Sequence, residues 1–139
     1  MKNKEKLVLV SILAVTLVLA FYIIFTSIIG NKNNKIQTSF QTLTNNQKDI
    51  EFQVTPLSAN EFQIVINTHS VDLDFDLAKI STLYDDLENS YKPLRWEGSE
   101  PGGHHREGIL KFPPVNTDAK SIKLVIIDST TRDFNWNLR

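Results

Sequence analysis

Residues 50–77 read Ile50-Glu-Phe-Gln-Val-Thr-Pro-Leu-Ser-Ala-Asn-Glu-Phe-Gln-Ile-Val-Ile-Asn-Thr-His-Ser-Val-Asp-Leu-Asp-Phe-Asp-Leu77. Apolar side chains recur at every second position in three runs, Ile50–Val54, Phe62–Ile66 and Val71–Leu77, and a helix would space them by three and four. Side chains alternate between the faces of a strand, so each run presents one apolar and one polar face. Pro56 and the stretch Ser58-Ala59-Asn60 end the first run with turn-forming residues. In the third run Leu73 and Phe75 alternate with Asp72, Asp74 and Asp76, which predicts a strand with an exposed acidic face.

The same pattern continues toward the C-terminus. Ile80–Tyr84 and Tyr91–Trp96 flank Asp85-Asp86-Leu87-Glu88-Asn89, an acidic connection of hairpin length, and Ile109–Phe112, Ile122–Ile127 and Phe134–Leu138 complete the set. Short alternating strands at this density, each closed by turn residues, predict an all-β, immunoglobulin-like two-sheet β-sandwich over residues 49–139. The alternation nominates as core Phe52, Val54, Phe62, Ile64, Ile66, Leu73, Phe75, Leu83, Leu94, Trp96, Leu110, Phe112, Leu124, Ile126, Phe134 and Trp136. The chain has no cysteine, so apolar burial must hold the sandwich without the disulfide that such domains commonly carry.

Upstream, Leu7–Ile29 reads LVLVSILAVTLVLAFYIIFTSII, without charge, proline or glycine. As a helix it would span about 34 Å, enough for a hydrocarbon core of about 30 Å. It is too long for the apolar core of a cleaved signal peptide, so a transmembrane signal anchor is expected. Lys2, Lys4 and Lys6 place residues 1–6 on the cytoplasmic side by the positive-inside rule. Residues 30–48, rich in Asn, Gln, Thr and Lys, read as a polar tether, and the folded part then lies outside the cytoplasm in the cell envelope. Charge divides along the same line. Met1–Lys35 holds five lysines and one glutamate, whereas Ile36–Arg139 holds ten basic and fifteen acidic residues, a balance that argues against a nucleic-acid partner.

Residues 96–108, Trp96-Glu-Gly-Ser-Glu-Pro-Gly-Gly-His-His-Arg-Glu-Gly108, hold four of the five glycines and two of the three histidines. Three stretches, Asn67–Leu77, Tyr91–Gly98 and Pro101-Gly-Gly-His-His-Arg-Glu-Gly-Ile-Leu-Lys-Phe112, together resemble a family of uncharacterised extracytoplasmic proteins of bacteria and archaea, secreted or membrane-anchored. The resemblance runs from Asn67 to Phe112 and implies a location outside the cytoplasm, with no activity to carry over. Such relatives place a glycine in the turn where this chain has Leu87-Glu88.

Gly102 and Gly103 allow a tight loop or a close backbone approach. The loop residues Trp96, Gly102, Gly103, His104, His105, Arg106 and Glu107 are therefore the expected interaction site. A zinc or copper site would need His104 or His105 together with His69 and a carboxylate such as Asp72, because adjacent histidines on an extended chain point to opposite sides. The competing expectation is that the two histidines brace the loop through hydrogen bonds, with Arg106 paired to a carboxylate. Asp72-x-Asp74-x-Asp76 lacks the glycine and terminal glutamate of a calcium loop. His104-x-x-Glu107 lacks the helix and second histidine of a zinc protease, and no nucleophile elbow, phosphate loop or dinucleotide fingerprint is present. The sequence thus predicts a binding module for an envelope protein, with metal binding as the alternative and a small hydrolase as a distant third; an enzyme is not expected.

Overall fold

A computed structural model describes residues 40–138. Residues 1–6, the expected membrane span at 7–29 and the first part of the expected tether lie outside the described residues. Among the described residues no helix is long and apolar enough to cross a membrane.

Among the described residues nine strands form two antiparallel sheets. In chain order they are β1 (Leu43–Gln47), β2 (Ile50–Ser58), β3 (Glu61–Thr68), β4 (Ser81–Asp85), β5 (Ser90–Tyr91), β6 (Arg95–Gly98), β7 (His105–Lys111), β8 (Ser121–Ile127) and β9 (Thr131–Asn137), with a single-turn helix α1 (Leu77–Ile80) between β3 and β4. One sheet runs β1-β2-β3-β7-β6 and the other β5-β4-β8-β9. The chain crosses between them after β3, β5 and β7, which makes the protein an all-β sandwich, as the alternation predicted.

The inner faces are filled by the in-phase residues of each strand. Phe52 and Val54 of β2, Phe62, Ile64 and Ile66 of β3, Leu110 of β7, Leu83 of β4, Ile122, Leu124 and Ile126 of β8, and Phe134 of β9 are all buried. Each such side chain stabilises the fold by roughly 1.5–3 kcal/mol. At one end Phe62 meets Phe112 edge-on at 5.7 Å and Trp136 at 5.5 Å. All of the nominated core residues are buried except Leu94, which is exposed, and Phe75 and Trp96, which are half-buried against the core.

Four expectations are corrected. The tether ends earlier than residue 48, because Leu43–Gln47 pairs with β2 as the edge strand β1, in the register Leu43↔Val54 to Gln47↔Ile50. The turn between them places Lys48 and Asp49 at φ 55° and 62°, the paired left-handed conformation of a type I′ hairpin. The expected strand Tyr91–Trp96 is two strands in different sheets. Pro93, without an N–H to donate, lies between them, and the chain changes sheet there. Leu94 sits in that crossing rather than in the core. Finally, Val71–Leu77 is no strand. It crosses from one sheet to the other with Leu73 and Leu77 buried, and the Asp76 carboxylate caps α1 by accepting from the Ala78 N–H at 3.0 Å. Alternation in this segment reflects a crossing chain that buries two leucines, not a ladder of strand hydrogen bonds.

The β4–β5 turn is organised by Asp85, whose carboxylate accepts from the backbone N–H groups of Leu87 and Asn89, the Asn89 side chain and the Tyr91 hydroxyl. Burial works to raise its pKa, but those donors hold it below the ordinary aspartate value. Glu88 in this turn has φ 65°, a left-handed conformation that glycine adopts without a steric penalty. Glu88→Gly is therefore expected to raise stability by about 0.5–1 kcal/mol, measured as an upward shift of the urea midpoint; a lower midpoint would contradict the strain.

Candidate functional site

Register decides which loops meet. Ile50 pairs with Thr68, Asn67 with His105, and Ser81 with Ile126. The 48–49 turn, the 69–80 crossing, the 99–104 loop and the 128–130 turn consequently gather at one end of the sandwich. The chain enters at the opposite end, where the Trp136 indole N–H donates to the Gln41 carbonyl at 2.8 Å.

At the loop end, Gly102 and Gly103 adopt φ 117° and 74°. These angles turn the backbone so that it bonds the crossing segment: the Leu73 N–H donates to the Gly103 carbonyl at 3.0 Å, and the Gly102 N–H to the Leu73 carbonyl at 2.8 Å. The Gly103 N–H donates to the Asp72 carboxylate. The His104 Nδ1 lies 2.9 Å from the Val71 carbonyl, which can only accept, so this nitrogen carries the proton. His105 Nδ1 is 2.6 Å from the Asn67 side-chain oxygen. Both histidines brace the loop by hydrogen bonds, as the competing expectation held.

Arg106 departs from every expectation placed on it. It is buried, with 1% of its surface exposed, so it offers nothing to a partner. Nor does it pair with a carboxylate. Its guanidinium donates to the carbonyls of Leu73, Phe75 and Ser99 at 3.1, 2.6 and 3.2 Å, and lies 5.6 Å from the centre of the Phe75 ring and 5.9 Å from that of Trp96. Desolvation pulls its pKa below the ordinary arginine value, while the charges of Asp76 and Glu100 push it back. The reason lies in the strand: Arg106 shares the inward phase of β7 with Leu110. Two of the carbonyls it satisfies, those of Leu73 and Phe75, are ones that a Val71–Leu77 strand would have paired in a sheet.

Trp96 is likewise structural. Its indole N–H donates to the Ser99 carbonyl at 2.9 Å, and its ring covers the paired glycines Gly98 and Gly108. A Cβ on Gly108 would stand 2.5 Å from the Gly98 Cα, 2.6 Å from the Glu97 carbonyl oxygen and 2.7 Å from the indole. Backbone cannot yield there, so Gly108→Ala should cost about 1–3 kcal/mol, read as a lower thermal midpoint; an unchanged midpoint would refute the close approach.

The four nominated metal ligands do not converge. His69, exposed, lines a polar cleft with Asn46, Asp49 and Glu51, while His104 and Asp72 are occupied in bracing the glycine loop. Among the described residues no three His, Asp or Glu side chains are placed to hold a metal ion, which corrects the expectation of a site built from His69, His104, His105 and Asp72. Gly103, His104, His105 and Glu107 keep exposed surface at the loop end.

A second buried arginine, missed by the sequence reading, stands across the same end. Arg132 of β9 pairs with Asp128 through Nε at 3.2 Å and Nη2 at 2.9 Å. It also donates to the carbonyls of Ile50 and Gln47 at 3.0 and 2.8 Å, and lies 4.5 Å from the centre of the Phe52 ring. One side chain thereby clips the edge of one sheet to the β1–β2 hairpin of the other. Its in-phase neighbours Phe134 and Trp136 were a usable signal, since period two places Arg132 on the core face.

No protein-family model, curated protein or solved structure matches this chain. The class that the fold defines is a β-sandwich with a rigid, arginine-supported loop end, and its function is read from its own chemistry.

Proposed function

We propose that this chain is a single-pass membrane protein whose sandwich acts outside the cytoplasm as a binding module for another protein of the cell envelope. The observation that carries the reading is the stretch Leu7–Ile29, 23 residues without a charge behind a leader with three lysines. The strand order supports an immunoglobulin-like assignment: β2-β3-β7-β6 and β5-β4-β8-β9 follow the ABED and C′CFG orders of such domains, with β1 added beside strand A. The crossing after β3 and the turn between β8 and β9 then correspond to the loops with which these sandwiches commonly bind. The extra hairpin has a further consequence. By running antiparallel to β2, β1 starts at the end away from those loops.

Alkaline carbonate extraction of membranes tests the anchor. The intact chain should remain in the membrane pellet; its release into the supernatant would overturn the reading.

A further inference from the structure

At the loop end, Ile50, Phe75, Ile80, Val71 and Ile127 line an open groove of ≈ 490 Å³. Val71 and Ile127 are 37% and 56% exposed, which leaves part of the groove's apolar lining open to solvent. The groove's walls are the elements that the two buried arginines hold. Arg106 fixes the carbonyls of Leu73 and Phe75 on one side, and the Arg132–Asp128 pair fixes the β8–β9 turn and the β1–β2 hairpin on the other. A groove supported in this way is formed before anything binds, and little ordering has to be done on binding.

The rim is charged. Asp72 and Asp74 stand exposed on one wall without an ion pair among the described residues, against the single cation Lys48, while the charge of Asp128 is met by Arg132. An acidic rim around an apolar floor complements a segment in which an aliphatic side chain is flanked by lysine or arginine, and it repels anionic lipid headgroups. We propose that this groove is the docking site of the module, and that its occupant is an extended, basic-flanked aliphatic segment of a partner protein. This deepens the binding-module reading and rests on it.

The test is selection of a displayed library of random twelve-residue peptides on the full chain held in nanodiscs. Enriched sequences should share an aliphatic residue flanked by Lys or Arg. Their affinity should fall severalfold in Asp74→Lys and about tenfold or more in Ile127→Asp, and hold in Leu87→Asp at the opposite end, with all three variants keeping the wild-type thermal midpoint as the check on folding. Several results would overturn the proposal: no enrichment, enrichment of acidic peptides, affinities indifferent to the groove variants, binding of anionic vesicles instead, or self-association abolished by Ile127→Asp. Selection does not depend on which side of a membrane the domain occupies. Its failure removes the groove and leaves the anchor standing, whereas release by carbonate removes the anchor and leaves the groove.

Discussion

Arg132→Met is expected to lower the unfolding free energy of the sandwich by about 3–5 kcal/mol, a large share of the 5–15 kcal/mol typical of a domain. The magnitude follows from what is left behind. The Asp128 side chain is only 2% exposed and would keep its charge without its cation, and the carbonyls of Ile50 and Gln47 would each lose one donor. A double-variant cycle separates these contributions. Adding Asp128→Leu to Arg132→Met removes the orphaned charge, so the pair should be more stable than Arg132→Met alone. Chemical denaturation of the four proteins measures this, and a double variant less stable than the single one would show that the ion pair is not what the arginine satisfies.

Arg106→Met is the second large effect, expected at about 2–4 kcal/mol because the carbonyls of Leu73, Phe75 and Ser99 each lose a charged donor, those of Leu73 and Ser99 keeping the Gly102 N–H and the Trp96 indole N–H, and an aliphatic chain replaces only part of the buried volume. Its signature should also be local. Without the guanidinium, the crossing segment and the glycine loop are held by the paired Leu73 and Gly102–Gly103 bonds and by the more exposed Asp72–Gly103 and Val71–His104 bonds. The Leu73 and Gly102 amides should then exchange with solvent long before global unfolding, while β8 and β9 stay protected. By contrast, His104→Ala removes one exposed hydrogen bond and should cost no more than about 1 kcal/mol. Equal losses in the two variants would contradict the role assigned to Arg106.

The architecture was legible where period two reported real strands. Ile50–Val54, Phe62–Ile66, Ile122–Ile127 and Phe134–Trp136 lie in strands with the predicted faces inward. It failed where the same period had another cause. Leu73 and Leu77 are spaced as strand residues because a crossing chain must still bury its leucines, and nothing local distinguishes carbonyls taken by Arg106 from carbonyls paired in a sheet. The strand β1 escaped because its sequence, Leu43-Thr-Asn-Asn-Gln47, is polar apart from Leu43, as an edge strand with one half-buried face can be.

The site was legible in place but not in role. The glycine-histidine loop does lie among the loops of the open end, and its glycines adopt the left-handed angles that their identity suggested. Arg106 and Arg132 were misjudged for one shared reason. Charge is ordinarily a mark of the surface, so the expected strands begin only at Ile109 and Phe134, although each arginine continues the inward phase of its strand. The metal expectation failed because His104 and Asp72 spend their side chains on Val71 and Gly103, and no three candidate ligands converge among the described residues.

Absence of native cysteine makes the central claim directly measurable, because an introduced thiol has no background. Ser129→Cys, exposed in the β8–β9 turn, should react with a membrane-impermeant maleimide on intact cells, and Lys4→Cys only after lysis. Labelling of Lys4→Cys on intact cells with Ser129→Cys protected until lysis would contradict a sandwich held outside the cytoplasm.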